Sequence, residues 1–226
     1  MNKKTPSLIT LPFKLEREAP PFETYDEQYS DKYPESLVRY FLKKYTKKGD
    51  YVFDPFAGLG TTLFVSEETG RIPYGMEADQ NRAEWVASQL ENWTGLRHGD
   101  TAKMLHHDFP KMDFVMTSPP FMHKHMKANP LYSGDPKKSG YNNYIKRMRY
   151  IFEQLSKLVK RNGYIIVHLD NLQHKQSFTP LVWDIGSAIS TVMKPEKEII
   201  VVWKNGRDDY PYTHCLLFKN AGIRKK

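Results

Sequence analysis

The sequence predicts a doubly wound α/β fold: a mostly parallel sheet with helices on both faces and an antiparallel last strand. Three observations predict it. Short apolar runs alternate with amphipathic helical stripes through most of the chain, the pattern of strand–helix–strand units. A glycine turn, Gly58-Leu59-Gly60, joins one such run directly to a helix. The final two runs are linked by a loop with no helix, so they are expected to pair antiparallel. At about 150 residues per domain, 226 residues make one domain with an appendage, long enough to bury a real core.

Residues 1–33 are read as an N-terminal arm and 34–226 as the single domain. Residues 1–34 hold five prolines and many charges without clear periodicity, so they are expected to be irregular. From Pro34 a helix follows, with Leu37, Phe41 and Tyr45 on one face and Val38 and Leu42 beside them. Lys47-Lys48-Gly49-Asp50 ends it. Tyr51-Val52-Phe53 is a short buried strand that runs into the glycine turn and a helix from Thr61. Ile72 to Met76 is a second strand, and Ala83, Val86, Ala87 and Leu90 make a helical stripe. Asp113 to Met116 is the strand that ends at Thr117-Ser118-Pro119-Pro120. Residues 122–143 read as a long polar loop. Ile145, Met148, Phe152, Leu155 and Val159 then fall at helical spacing, and Asn162-Gly163 is expected to stop that helix. Tyr164 to Leu169 is a strand, 181–192 a helix, and Ile199–Trp203 and Cys215–Phe218 the two last strands.

Lys plus Arg is 34 and Asp plus Glu is 26, a net charge of +8. That excess favours a polyanionic partner, most simply nucleic acid. No apolar run reaches the roughly 18 residues that a membrane span needs. The apolar stretch after Lys3 and Lys4 is broken by Pro6, Pro12 and Lys14, which argues against a signal peptide. The one cysteine, Cys215, has no internal partner. It points to a reducing, cytoplasmic setting and excludes a cysteine zinc module. His106-His107 and the pair His123 and His125 lack a carboxylate or cysteine at ligand spacing, so no metal is expected.

The turn Asp54-Pro55-Phe56-Ala57-Gly58-Leu59-Gly60-Thr61-Thr62 lies between strand and helix. Glycines there let a ligand approach the backbone above a helix N-terminus. A phosphate loop would want lysine where Thr61 stands, and a dinucleotide fingerprint would want glycine where Leu63 stands. S-adenosylmethionine carries no phosphate and needs only the tight turn and nearby carboxylates. Glu77 ends the next strand, with Asp79 beside it, where an acid accepts from ribose hydroxyls. Asp100, in Arg97-His98-Gly99-Asp100-Thr101, follows the third strand and is placed to accept from an adenine amino group. A lone glycine turn is most simply a structural connection. With acids at the next two strand ends it reads as a cofactor pocket.

Thr117-Ser118-Pro119-Pro120-Phe121 is a rigid corner at a strand's carboxyl end, where open α/β sheets bind ligands. A serine hydroxyl and a fixed proline carbonyl can together hold a planar amino group, and Phe121 can stack on its ring. Two acceptors on an exocyclic amine favour a more nucleophilic nitrogen, poised to attack a sulfonium methyl. Inside a duplex that amine is out of reach, so the base must flip out.

Asp54-Pro55-Phe56-Ala57-Gly58-Leu59-Gly60-Thr61-Thr62 followed by Thr117-Ser118-Pro119-Pro120-Phe121 closely resembles the S-adenosylmethionine-dependent DNA amino-methyltransferases, which methylate N4 of cytosine or N6 of adenine. The resemblance runs from about Tyr33 to Lys219. Tyr33-Pro34-Glu35-Ser36-Leu37 is similar to the segment that closes over the methionine moiety, and Tyr74-Gly75-Met76-Glu77-Ala78-Asp79 to the ribose-binding strand end. Lys160-Arg161-Asn162-Gly163-Tyr164 looks like the turn before the family's fifth strand.

The resemblance implies a Rossmann-like methyltransferase sheet. It implies that Asp54, Pro55, Phe56, Ala57, Gly58, Gly60, Thr61, Thr62 and Thr117 line the cofactor site, with Glu77 on the ribose and Asp100 on the adenine. Ser118, Pro119 and Pro120 would hold the target amine, and Phe121 would stack on the base. Serine at the first position of this corner is more usual for cytosine-N4 enzymes, so cytosine N4 is favoured over adenine N6. Relatives with this motif order carry a large target-recognition domain afterwards, and here the chain ends soon after the last strand. Specificity would then come from loop 122–143, the arm, a second copy in a homodimer, or a separate specificity subunit. In that loop Lys124, Lys127, Lys137, Lys138 and Tyr141, with His123, His125 and Tyr144 around them, are expected to grip phosphates and stack bases. The partner is DNA, in DNA methylation of the kind paired with restriction. The alternatives are an RNA base methyltransferase, or one subunit of a split methylase, either its catalytic half or a catalytically silent nucleic-acid-binding subunit.

Overall fold

The computed structural model describes residues 6–18, 20, 22, 32–131, 136–205 and 210–222. Its strands are β1 (Leu8–Pro12), β2 (Tyr51–Asp54), β3 (Ile72–Glu77), β4 (Leu96–His98), β5 (Met112–Thr117), β6 (Val159–Leu169), β7 (Leu172–His174), β8 (Ser177–Thr179), β9 (Lys194–Lys204) and β10 (Tyr212–Lys219). Its α-helices are α1 (Glu35–Tyr45), α2 (Thr61–Glu68), α3 (Gln80–Ala87), α4 (Tyr141–Leu158) and α5 (Leu181–Ser190). Among the described residues one sheet has eight strands in the order β1-β9-β10-β6-β5-β2-β3-β4. All neighbours pair parallel except β10, which runs antiparallel between β6 and β9. The fold is the expected Rossmann-like one, and β9 and β10 pair antiparallel as their helix-free link requires. No described helix is long and apolar enough to cross a membrane.

The central strands are buried on both faces, so their sequences are continuous apolar runs whose alternate residues face opposite layers. Val52, Phe114, Met116 and Ile166 face one core, covered by Leu37, Val38, Phe41 and Leu42 of α1. Phe53, Val115, Ile165 and Val167 face the other, covered by Met148, Ile151, Phe152 and Leu155 of α4 and Ile185 and Ile189 of α5. Each of these side chains is fully buried. Truncating one to alanine costs about 2–5 kcal/mol.

The chain reverses its direction of travel between β2 and β5. From β2 it moves outward to β3 and β4, then returns to β5 on β2's other side. Loops diverge above such a pair of strands and leave a crevice at their carboxyl ends. Asp54 ends β2 and Thr117 ends β5, so both motifs open into one crevice.

Three expectations are corrected. The first 34 residues are not wholly irregular: Leu8–Pro12 pair with Ile200–Lys204 at the sheet edge. Only alternate residues of this strand are half-buried, and proline is tolerated at such an edge. Ser36 Oγ donates to the Pro12 carbonyl at 2.7 Å, and the Glu35 carboxylate accepts from the Glu16 and Arg17 amides at 3.0 and 3.3 Å. The arm is thereby held against α1. The loop is shorter than 122–143, because α4 begins at Tyr141. Asn162-Gly163 does not end the helix, which stops at Leu158. It lies within β6, where Asn162 has a φ of 68° and the pairing with β5 shifts register between Met112 and Phe114. A Cβ on Gly163 would come within 2.7 Å of Val159 Cγ1 and 3.0 Å of the Asp113 carbonyl, so glycine is required by that close approach.

Candidate active site

The β2 turn is built by its two glycines. Gly60 caps α2 with a φ of 78°, and a Cβ there would meet Val86 Cγ1 at 2.7 Å and Phe64 at 2.9 Å. It is absent so that α2 can close on α3. Gly58 also has a positive φ, 52°, but a Cβ there would have only the turn's own Phe56 carbonyl within 4 Å, at 3.9 Å. That open side leaves room for a ligand to approach the backbone closely.

Glu77, at the end of β3, faces this turn. Its Oε2 accepts from the Gly58 amide at 2.7 Å and its Oε1 from the Asp79 amide at 2.9 Å. Burial pushes its pKa up, and the two amide hydrogen bonds oppose that shift. Each oxygen retains a second lone pair for a hydroxyl. Asp79 caps α3 by accepting from the Arg82 amide at 2.9 Å, so Glu77 rather than Asp79 is the acid turned toward the turn. Asp100 caps the short 3₁₀ turn Thr101–His106 through the Ala102 amide, at 2.9 Å, and its other oxygen lies 2.5 Å from Arg147 of α4. Gly99, just before it, has nothing within 4 Å of a Cβ position.

Asp54, Thr62 and Thr117 lie below the turn rather than on its open face. Asp54 is 1% exposed. It accepts from Thr117 Oγ1 at 2.6 Å, the Phe56 amide at 3.0 Å and the Tyr33 hydroxyl at 3.2 Å. Thr62 Oγ1 meets the same Tyr33 hydroxyl. This buried network ties β2, β5, α2 and the segment before α1 together beneath the crevice. Pro55, Phe56, Ala57 and Thr61 complete the turn. Phe56 is half-buried, and Ala57 and Thr61 are buried.

The corner after β5 holds Ser118, Pro119, Pro120 and Phe121 beside that turn. Tyr144 of α4 donates to the Pro120 carbonyl at 2.8 Å, which braces the corner from below. Among the described residues nothing donates to the Pro119 carbonyl. Ser118 Oγ lies 3.1 Å from His168 Nδ1. His168, Asp170, Tyr210 and Thr213 are missed by motif reading. The legible signal was the polar sequence His168-Leu169-Asp170 closing an apolar strand beside β5. Tyr210 and Thr213 reach it only through the β6–β10 register, in which Cys215 stands opposite His168.

The basic residues divide. Lys137 and Lys138 line an open groove of about 330 Å³ together with Asn143, Lys146, Arg147 and Tyr150 of α4. Lys127 is exposed. Lys124 pairs with Asp184 at 3.2 Å, above the Tyr141 ring. Tyr141 does not offer a stacking face: it is 9% exposed, and its hydroxyl donates to Asp184 at 2.9 Å. As the first residue of an amphipathic helix it packs inward. His123 and His125 gain a third neighbour, His174 of β7, with ring centroids 4.7–5.7 Å apart. Among the described residues no such group is arranged to hold a metal ion.

A model of the DNA methylase family matches residues 9–89. The type II methyltransferase M2.DpnII of Streptococcus pneumoniae is 35% identical over 69 residues, 29% of this chain and 26% of that protein. The type II methyltransferase M.MthZI of Methanothermobacter thermautotrophicus is 36% identical over 58 residues, 26% of this chain and 16% of that protein. The matches thus span about a quarter or less of those relatives' lengths. TrmN from Thermus thermophilus superposes with a TM-score of 0.57 at 16% identity, over 82% of this chain and 48% of that one. A methyltransferase from Pyrococcus furiosus gives 0.54 at 16% identity, over 83% of each chain. The two structures share this chain's fold, a methyltransferase fold.

Proposed function

We propose that this chain, whose sequence resembles the N4/N6 amino-methyltransferases and matches a DNA methylase model over residues 9–89, transfers a methyl group from S-adenosylmethionine to the exocyclic amine of a flipped-out DNA base, cytosine N4 before adenine N6. The observation that carries this is the meeting of the two motifs at one crevice, at the ends of β2 and β5. The residues present fit the cofactor. Gly58 leaves an open approach to the backbone, and Glu77 supplies carboxylate lone pairs for ribose hydroxyls. No lysine stands in the turn to ask for a phosphate.

When bound, the cofactor supplies an electrophilic methyl whose bond to sulfur breaks with its electrons left on sulfur. The protein's part is to seat the nucleophile. Ser118 Oγ and the Pro119 carbonyl accept the two amine hydrogens, which draws the nitrogen lone pair out of the ring. That lone pair forms the new N–C bond, and one amine proton passes to solvent. Phe121 stacks on the base, and Pro119 and Pro120 keep both acceptors from moving, so orientation supplies most of the acceleration. Ser118, rather than aspartate or asparagine, supports the cytosine preference. The groove of Lys137, Lys138 and Lys146 supports a phosphate backbone as the partner.

The test is to incubate the protein with labelled S-adenosylmethionine and unmethylated DNA or RNA, digest to nucleosides and identify the product by mass. N4-methylcytosine from DNA is expected. N6-methyladenine would overturn the base preference, product from RNA alone would overturn the DNA assignment, and no product from either would overturn methyl transfer by this chain alone. Ser118→Ala should lower turnover on the order of 100-fold.

A further inference from the structure

His168 stands in β6, beside the catalytic strand, and is 5% exposed. Its ring lies between Tyr33 and Phe121, at centroid distances of 5.3 and 6.4 Å. Nδ1 faces Ser118 Oγ at 3.1 Å. On the opposite side, Nε2 lies 2.8 Å from Thr213 Oγ1 and 3.3 Å from the Tyr210 hydroxyl. Both of those hydroxyls donate to the same oxygen, Asp170 Oδ2, at 2.9 and 2.7 Å.

Counting protons gives the chain a direction once Asp170 is ionised, and burial pushes the Asp170 pKa up to about 7. Burial pushes the His168 pKa down to about 3, so the imidazole is neutral, with one N–H and one lone pair. Each hydroxyl has one proton. With Asp170 ionised, Thr213 and Tyr210 give theirs to it, so toward Nε2 they offer oxygen lone pairs only. Nε2 therefore holds the ring proton, and Nδ1 turns its lone pair on Ser118. Ser118 in turn gives its one proton to Nδ1. The remaining lone pairs of its oxygen face the crevice, with no proton left to donate there.

That last step bears on what the corner can hold. A freely rotating serine hydroxyl accepts from an amine and donates to a keto oxygen or ring nitrogen equally well. A serine whose proton is committed accepts only. We propose that His168 is a positioning residue that makes Ser118 an obligate acceptor and so selects a base amino group, over a keto oxygen, as the group seated at the corner. This rests on the methyl-transfer reading of the same site. An unmet acceptor facing an acceptor is penalised in a water-excluded pocket, so thymine and guanine O6 edges would be rejected there.

Two measurements decide it. The ¹⁵N shifts of the His168 ring in the cofactor-free protein should show Nε2 protonated and Nδ1 bare above about pH 8, where Asp170 is ionised. An Nδ1–H tautomer, or an imidazolium, overturns the proposal whether or not the protein transfers methyl groups. In the second, His168→Phe keeps the ring's bulk without an acceptor, and His168→Asn returns an oxygen near the Nδ1 position. His168→Phe should lower kcat about tenfold, the worth of one hydrogen bond's direction, with cofactor affinity and the KM for DNA unchanged. His168→Asn should recover most of that loss. Full turnover in His168→Phe, or the same loss in both variants, overturns the proposal. An inactive wild type would instead sink the proposed function, and the ¹⁵N shifts would still settle the direction of the Ser118–His168 bond.

Discussion

Asp54 accepts three hydrogen bonds beneath the crevice, yet burial outweighs them and raises its pKa from 3.8 to about 6. The folded protein therefore binds this proton more tightly than the unfolded chain does. Its contribution to stability is largest below pH 4 and is lost as the pH rises through 6. Asp54→Asn cannot titrate. Thermal melts of the two proteins from pH 4 to pH 7 should show the wild type losing ground to the variant as the pH rises, and parallel curves would refute the shift. The two turn glycines give a second prediction at this scale. Gly60→Ala puts a Cβ 2.7 Å from Val86 at a left-handed φ, so denaturant melts should show a loss of about 2 kcal/mol or more. Gly58→Ala meets nothing but its own turn, so it should cost only about 1 kcal/mol of stability while calorimetry shows cofactor binding lost. The sequence shows two glycines of one motif; only their surroundings show that one is needed for helix packing while the other borders open space.

Secondary elements were legible where burial wrote itself into composition. Val52–Phe53 of β2, Phe114–Met116 of β5 and Tyr164–Val167 of β6 are central, apolar on both faces, and stand out as unbroken runs. β1 was not legible, because an edge strand buries only alternate residues and its pairing with β9 joins chain ends remote in sequence. The crevice was legible from the order of motif-bearing strands. The Asp170–Thr213–His168 chain was not, because it depends on the register between β6 and β10, which no local pattern encodes. The basic loop shows the same limit: charge count marked Lys124 and Lys137 alike, but only the fold shows Lys124 paired with Asp184 and Lys137 lining one groove with Lys146. If that groove follows a phosphate backbone, Lys137→Glu and Lys146→Glu should each weaken DNA binding and reduce the slope of log K against log salt by about 1. Lys124→Glu should change that slope less. Equal slopes in wild type and groove variants, measured by fluorescence anisotropy across a salt series, would remove the groove from the interface.

At the scale of the whole molecule, the proposed methyl transfer divides into two tasks on opposite sides of one switch point. Under that proposal the β2 and β3 ends, with Gly58 and Glu77, would hold the cofactor, while the β5 and β6 ends, with Ser118 and His168, would hold the base. Both halves belong to one continuous sheet, so a ligand that binds only the folded state stabilises all of it. At a hundred times its dissociation constant, S-adenosylmethionine should add about 2.7 kcal/mol. For a chain of this size that corresponds to a rise in Tm of roughly 5–10 °C. Glu77→Ala removes the ribose acceptor and the carboxylate that holds the Gly58 amide, so its Tm should rise little or not at all under the same conditions. Ser118→Ala alters only the far side of the switch point, so it should keep the full rise while losing turnover. Thermal melts of the three proteins with and without cofactor separate these cases without any nucleic acid present. A Ser118→Ala protein that lost the rise would mean that the corner holds the cofactor itself. The division of labour between the β2 and β5 ends would then be wrong, however well the motifs match.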